Sequence, residues 1–278
     1  MKEKILSNIK TKKMGKSVYY FQCTDSTNVQ AKRLAEEGAV HGSVVVADEQ
    51  TAGRGRRGRS WDSPAGKNLY FTLLLKPDFA PDKASMLTLV MALAVKKGLD
   101  RVFGQLLMQK ECQDYVQETP RSGIKWPNDL VINGRKICGI LTEMVLEQSS
   151  IKNVIIGVGI NLEKQDFATE LVDKATSIEA ECGQKLCKAE LLAEIMLAFE
   201  EYYETFIKTC DLTGLQEAYN VCLVNRDREV CVLDPKGEFH GIARGINSAG
   251  ELWVEKEDGT VTEVYAGEVS VRGIYGYV

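Results

Sequence analysis

The 278-residue chain sets 35 Lys and Arg against 39 Asp and Glu for a net charge of −4, with 44% hydrophobic and 27% charged residues, 6 Pro and 24 Gly. Disorder, a collagen repeat and a coiled coil are excluded by that balance, and the length corresponds to about two domains at roughly 150 residues each. A slightly acidic protein has no global attraction for nucleic acid or anionic lipid, so any basic site must be local.

The first 17 residues, MKEKILSNIKTKKMGKS, are Lys-rich and lack the apolar stretch and small-residue cleavage site of a secretion signal. They read as a linker-like segment. An apolar run from Val18 to Phe21 then leads into Asp25-Ser26-Thr27-Asn28, polar residues suited to starting a helix over Val29 to Glu37. The β-branched run Ser43 to Ala47, the loop TAGRGRRGRSW and the apolar run Leu69 to Leu75 predict strand, long polar loop, strand. Residues 84–103 are apolar at helical spacing, and 104–122 read as a helix end plus a connection closing near Pro120. In GIKWPNDLVINGRKICGILTEMVLE, Asn133-Gly134 between apolar runs predicts a two-residue type I′ hairpin, with Lys136 just past its tip. Pro127 must break the strand that carries Lys125, with Asn128 and Asp129 bending away from the sheet. Asn153 to Leu162 predicts a buried strand in which Gly157 and Gly159 mark a bulge or the place where a ligand approaches.

Residues 188–208 carry an apolar stripe at helical spacing. After Asn220 the pattern changes to short β-rich runs separated by turn residues, which describes a small antiparallel barrel or sandwich. The expected domains are therefore 18–222 and 223–278. No run approaches the ~18 apolar residues of a membrane span. Eight scattered Cys without a CxxC pair, and two His, read as reduced thiols of a cytoplasmic protein rather than metal ligands.

The densest chemical signal is Gly53-Arg54-Gly55-Arg56-Arg57-Gly58-Arg59. Arginine supplies planar bidentate donors for phosphate and carboxylate, and glycines let backbone N–H groups face the same anion. An oligoanion ligand is the direct reading; a solvated mobile loop and a nucleic-acid-binding element are the alternatives. Mutual repulsion predicts mobility until an anion arrives. Taken singly, Lys125 and Lys136 are as readable as surface charges, and Trp126 as core.

In combination these segments resemble the biotin protein ligases (biotin–[acetyl-CoA-carboxylase] ligases). The matching runs are Asp25 to Asn28, Gln50 to Arg59 with Trp61, Asn68-Leu69-Tyr70, Lys125 to Asp129, Arg135 to Leu141, Gly157 to Asn161, and Gly267 to Arg272. The resemblance implies an α+β fold, with a catalytic domain like that of class II aminoacyl-tRNA synthetases and a small C-terminal SH3-like β-barrel. It also implies two steps: biotin and ATP form biotinyl-5′-AMP and pyrophosphate, and a lysine of a carboxylase's biotin carboxyl carrier domain then takes the biotin.

Carried over by motif, Lys136, Arg56 and Lys125 would support the chemistry. Biotin would lie against Ser26, Thr27, Asn28, Gln50, Gly53, Arg54, Gly55, Arg56, Lys136 and Gly139. ATP would lie against Arg54, Arg57, Arg59, Trp61, Lys125, Asn128, Asn161 and Arg272. Mg²⁺ would bridge the phosphates near Asn128, with no resident metal site. Only 25 residues precede Ser26, too few for the winged helix-turn-helix of repressor members, so no sequence-specific DNA binding is expected. The expected assembly is a monomer or homodimer without a membrane partner. The rival functions are a lipoate or octanoate protein ligase of the same fold, and a nucleic-acid-binding module built on the Arg-rich loop.

Overall fold

The computed structural model describes residues 1–109, 122–234, 237–266, 270–273 and 277–278. Helix α1 (Lys2–Asn8) precedes β1 (Val18–Thr24), α2 (Thr27–Glu36), β2 (Ser43–Gln50), β3 (Leu69–Leu75) and α3 (Leu87–Gln109). There follow β4 (Ser122–Lys125), β5 (Asp129–Ile132), β6 (Arg135–Glu147), β7 (Ser150–Ile160), α4 (Ile178–Cys182), α5 (Lys188–Phe206) and α6 (Gln216–Cys222). The C-terminal part holds β8 (Arg228–Asp234), β9 (Gly237–Ile246), β10 (Leu252–Glu255), β11 (Val261–Val264) and β12 (Ser270–Gly273). The stretch 104–122, expected as a helix end plus a connection, continues α3 to Gln109 and otherwise falls mostly at 110–121, outside the described residues, as do Gly267, Glu268 and Val269 of the C-terminal motif.

A seven-stranded sheet in the order β1-β2-β3-β7-β6-β5-β4 forms the centre, with β1 and β2 parallel and the other neighbours antiparallel. Residue alternation decides which layer each strand residue meets. Val44, Val46, Leu73, Leu75 and Ile156 join the large core under α3 and α5, while Val45, Leu74 and Ile155 face α2 with Ala31 and Ala35. Because both faces are covered, β3 reads LYFTLLL and is buried throughout, with Thr72 its lone polar residue. A five-stranded antiparallel sheet, β11-β10-β9-β8-β12, follows. Its inward residues, among them Val230, Ile246 and Val254, are continuous with the main core. Among the described residues no helix is long and apolar enough to cross a membrane.

Two expectations change. The first 17 residues are not a linker: α1 packs on α5, and Ile5, Ile9 and Met14 are buried in the core. Glu200 on α5 accepts the backbone N–H groups of Lys12, Lys13 and Met14 at 2.7, 2.6 and 3.0 Å, which holds the segment down. Nor do Asn128 and Asp129 both leave the sheet. The 126–128 turn, with a cis Trp126–Pro127 bond, reverses the chain so tightly that Asp129 pairs with Lys125 and also with Gly139. Trp126 is core, 1% exposed, and its indole N–H donates to Gly250 O at 3.0 Å, tying the two sheets together.

Replacing Glu200 by Ala leaves three backbone donors without their acceptor. Stability should fall by about 2 kcal/mol, read as a lower urea midpoint at unchanged slope, and trypsin should cut faster at Lys12 and Lys13.

Candidate active site

The site lies on the α2 side of the sheet, past the helix N-terminus. Ser26 is the N-cap residue but makes no side-chain capping bond. Its place is taken from another element: Gln50 Oε1, at the end of β2, accepts Thr27 N at 2.8 Å and Thr27 Oγ1 at 3.0 Å. Gln50 Nε2 in turn donates to Ser63 Oγ at 2.9 Å. The Thr72 hydroxyl lies 2.8 Å from Thr27 Oγ1 and 2.7 Å from Asn28 Oδ1, and Asn28 Nδ2 donates to Glu143 Oε2 at 2.8 Å. Glu143 is itself held by Lys32 at 2.7 Å and by Arg54 at 3.6 Å. Burial pushes the Glu143 carboxyl up, but Lys32, Asn28 and Arg54 outweigh it and hold it below the usual range.

Three glycines clear the floor. A Cβ on Gly157 would stand 2.1 Å from Asn28 Oδ1, one on Gly159 2.5 Å from Trp61 Nε1, and one on Gly139 2.8 Å from Trp61 Cζ3. Gly157 and Gly159 do not sit at a bulge. Both residues pair in register with their neighbours on each side, and the side chains pressing on them are Asn28 and Trp61.

At the other end, the hairpin tip at Asn133 and Gly134 has φ of 50° and 75°, as a type I′ turn requires. The backbone of Lys136 is bonded to Lys174 O and Thr176 N, and its side chain lines the cavity rather than facing solvent. Lys136 Nζ reaches Asp129 Oδ1 at 2.6 Å and lies 5.1 Å from the Trp61 ring centre. Lys125 is 5% exposed and Asp129 9%. Burial pulls Lys125 down to about 8 despite Asp129, with Lys136, Arg272 and Arg59 adding to the effect. For Asp129 burial acts upward, but Lys136 and Lys125 together hold the carboxyl below its ordinary range.

The Arg-rich loop is hydrogen-bonded rather than free. Gly55 N donates to Arg59 O at 2.7 Å and Trp61 N to Gly53 O at 2.9 Å, with Arg57 and Gly58 both in the left-handed region. Arg56 Nη1 donates to Asn128 Oδ1 at 2.7 Å and its Nη2 to Ala266 O at 2.5 Å. The repulsion expected among these arginines is thus offset by bonds to the sheet and to the C-terminal part.

The resulting cavity, of about 50 Å³, is lined by Ser26, Thr27, Asn28, Gln50, Arg54, Gly55, Arg56, Trp61, Asn128, Lys136 and Gly139 among the expected residues. Gly53 sits behind the loop against Trp61 O, and Lys125 is buried beneath the Tyr277 ring and does not line the cavity. Arg57, Arg59 and Arg272 are exposed. Asn161 is away from the cavity, its amide donating to Thr176 O at 3.1 Å. The sequence reading missed Asp129, Glu143, Thr72 and Tyr277. Thr72 was legible as the one polar residue of an apolar strand, and Asp129 stood in a quoted motif without a role. Nothing local marks Glu143 or Tyr277. The described residues hold no group of three His, Cys, Asp or Glu able to bind a metal.

Residues 20–161 match the biotin/lipoate A/B protein ligase family, and residues 227–272 the biotin protein ligase C terminal domain. The chain is 36% identical over 265 residues to the bifunctional ligase/repressor BirA of Bacillus subtilis, covering 95% of this chain and 76% of that protein. It is 33% identical over 232 residues to the biotin–[acetyl-CoA-carboxylase] ligase of Paracoccus denitrificans, covering 82% and 90%. The fold is similar to that of biotin protein ligase from Aquifex aeolicus in complex with biotin and ATP, with a TM-score of 0.75, 28% identity, and 93% and 99% of the two chains covered.

Lys125 loses its charge as pH rises through about 8, where an unburied lysine does so near 10.5. A ¹³Cε NMR titration of the lysines should show one midpoint near 8 that disappears in the Lys125→Met variant.

Proposed function

Because the chain belongs to the biotin/lipoate A/B protein ligase family, we propose that this cavity is where it joins biotin to ATP. The protein is a biotin protein ligase: biotin and ATP give biotinyl-5′-AMP, and the biotin passes to a lysine of a carboxylase carrier domain. The observation that carries the assignment of the site is the meeting of two environments in one cavity. A network of hydroxyl and amide groups occupies one end, and at the other Lys136, paired with the buried Asp129, lines the wall beside Arg56 and Asn128.

The bicyclic ureido head of biotin carries two N–H donors and a carbonyl acceptor, and Thr27, Asn28, Gln50 and Thr72 offer the complementary groups beside helix α2. Its carboxylate then extends toward Lys136. A carboxylate and a triphosphate repel each other, so Lys136, Arg56 and Arg54 bring the two into reach and offset charge that grows on the phosphoryl oxygens. One carboxylate oxygen attacks the α-phosphorus, the bond to the β-phosphate oxygen breaks, and pyrophosphate leaves. In the second step a carrier amine attacks the biotinyl carbonyl carbon and AMP leaves with the bonding electrons. No protein nucleophile is needed. The Trp61 indole N–H, buried and without a partner among the described residues, is a donor for the nucleotide side.

Mg²⁺, which would neutralise phosphate charge, fits as a companion of ATP held mainly by phosphate oxygens, since the described residues hold no ligand cluster and Asn128 Oδ1 already accepts from Arg56. A cavity of about 50 Å³ is well below the roughly 300 Å³ of small-molecule sites, so the 53–61 loop opens to admit substrates and shields the water-sensitive anhydride on closing.

Biotin-dependent exchange of pyrophosphate into ATP tests the reading; exchange that responded to lipoate instead of biotin would overturn it. In that assay Lys136→Ala should lose about 10²–10³ in rate, as for a donor used chiefly in the transition state, with the fold retained. Gly157→Ala pushes a methyl group onto Asn28. It should raise KM for biotin about tenfold, the worth of one hydrogen bond, and leave the KM for ATP near its original value.

A further inference from the structure

We propose that Tyr277, near the C-terminus, is a positioning residue of the reaction centre that fixes Asp129 and through it the placement of Lys136, while its ring lies directly on Lys125. The inference rests on the adenylate-forming reading of the site. The Tyr277 hydroxyl donates to Asp129 Oδ2 at 2.5 Å, while Lys136 Nζ occupies Oδ1 of the same carboxylate at 2.6 Å. The ring lies against Lys125 Nζ, 3.6 Å from ring centre to nitrogen. One side chain therefore touches both the anion that holds Lys136 and the neighbouring cation Lys125.

The geometry matters because a carboxylate gripped at one oxygen still swings about its terminal torsion, which is a broad and soft one. Gripped at both oxygens by separate donors, it is held in one plane. Lys136, 2.6 Å away and bordered by Trp61 and Gly139, then keeps its ammonium at the cavity floor. The bond length suits a hydroxyl donating to an ionised carboxylate. Burial and the neighbouring Asp129 raise the phenol well above its usual range, so it remains a donor at alkaline pH, although Arg59 and Arg272 act in the opposite sense. The ring does a second thing. It covers part of the Lys125 ammonium with the negative face of its π-system and replaces some of the hydration that burial removes.

Placement of catalytic cations is a transition-state matter, whereas Tyr277 is not among the residues lining the cavity that would take biotin. Tyr277→Phe keeps the ring and removes the bond. It should lower kcat of biotin-dependent pyrophosphate exchange about tenfold while KM for biotin stays within about twofold. Tyr277→Leu, which also uncovers Lys125, should in addition raise KM for ATP about fivefold. If Tyr277 acts through Asp129, adding Tyr277→Phe to Asp129→Asn should cost less than about twofold further. A wild-type kcat for Tyr277→Phe, or the same tenfold loss on both backgrounds, would overturn the proposal while leaving the ligase reading intact. An unmutated protein whose exchange ignored biotin would instead overturn the reading itself.

Discussion

Asp129 carries the site. Two lysines this close together in a buried setting repel each other and each loses hydration, an arrangement that holds only with an anion between them. The carboxylate is 9% exposed, contacts Lys136 directly and pairs across the sheet with Lys125. The compensation is incomplete: Lys125 still falls to about 8. A further anion beside an incompletely compensated cation would be stabilised, which is the place proposed above for the phosphates. The structural charge arrangement and the binding of an oligoanion are thus one electrostatic problem.

The neutral end of the cavity is solved by different means. A sheet covered on both faces normally fills its surface with side chains, which would leave no room for a ligand above β7. Glycine at 139, 157 and 159 lowers the surface, and Asn28 and Trp61 descend into the space so made. Helix α2 is capped from β2 by Gln50 rather than by its own Ser26, which leaves the Ser26 side chain on the cavity wall. Glu143 fastens the same network to Lys32 and Arg54, so the polar end and the Arg-rich loop share one anchor.

The C-terminal sheet is part of this machinery and not an appendage. Its core runs into that of the large sheet, Trp126 bonds to Gly250, and Ala266 accepts from Arg56. The opening proposed for the 53–61 loop would break the Arg56 bonds to Asn128 and to Ala266, one in each part of the chain, and Tyr277 bonds to Asp129.

Much of this was readable from residues alone. Local chemistry decided the type I′ turn at Asn133-Gly134, because two successive positive φ values suit that pair. The apolar runs of β3 and β7, the start of helix α2 and the change to short strands after Asn220 follow from periodicity, which depends only on near neighbours. The stock of cations and polar groups was also legible, since a ligand's charge must be answered by residue type. Tertiary structure decided which of those groups meet. Asp129 entered the sheet because the 126–128 turn is tight. The N-terminal segment was drawn onto α5 by Glu200, 186 to 188 residues away. Asn161 turned to Thr176 and away from the cavity. Tyr277 reached Asp129 across 148 residues. The contacts of Glu200 and Tyr277 join segments far apart in the chain, and neither periodicity nor propensity carries information over such a distance.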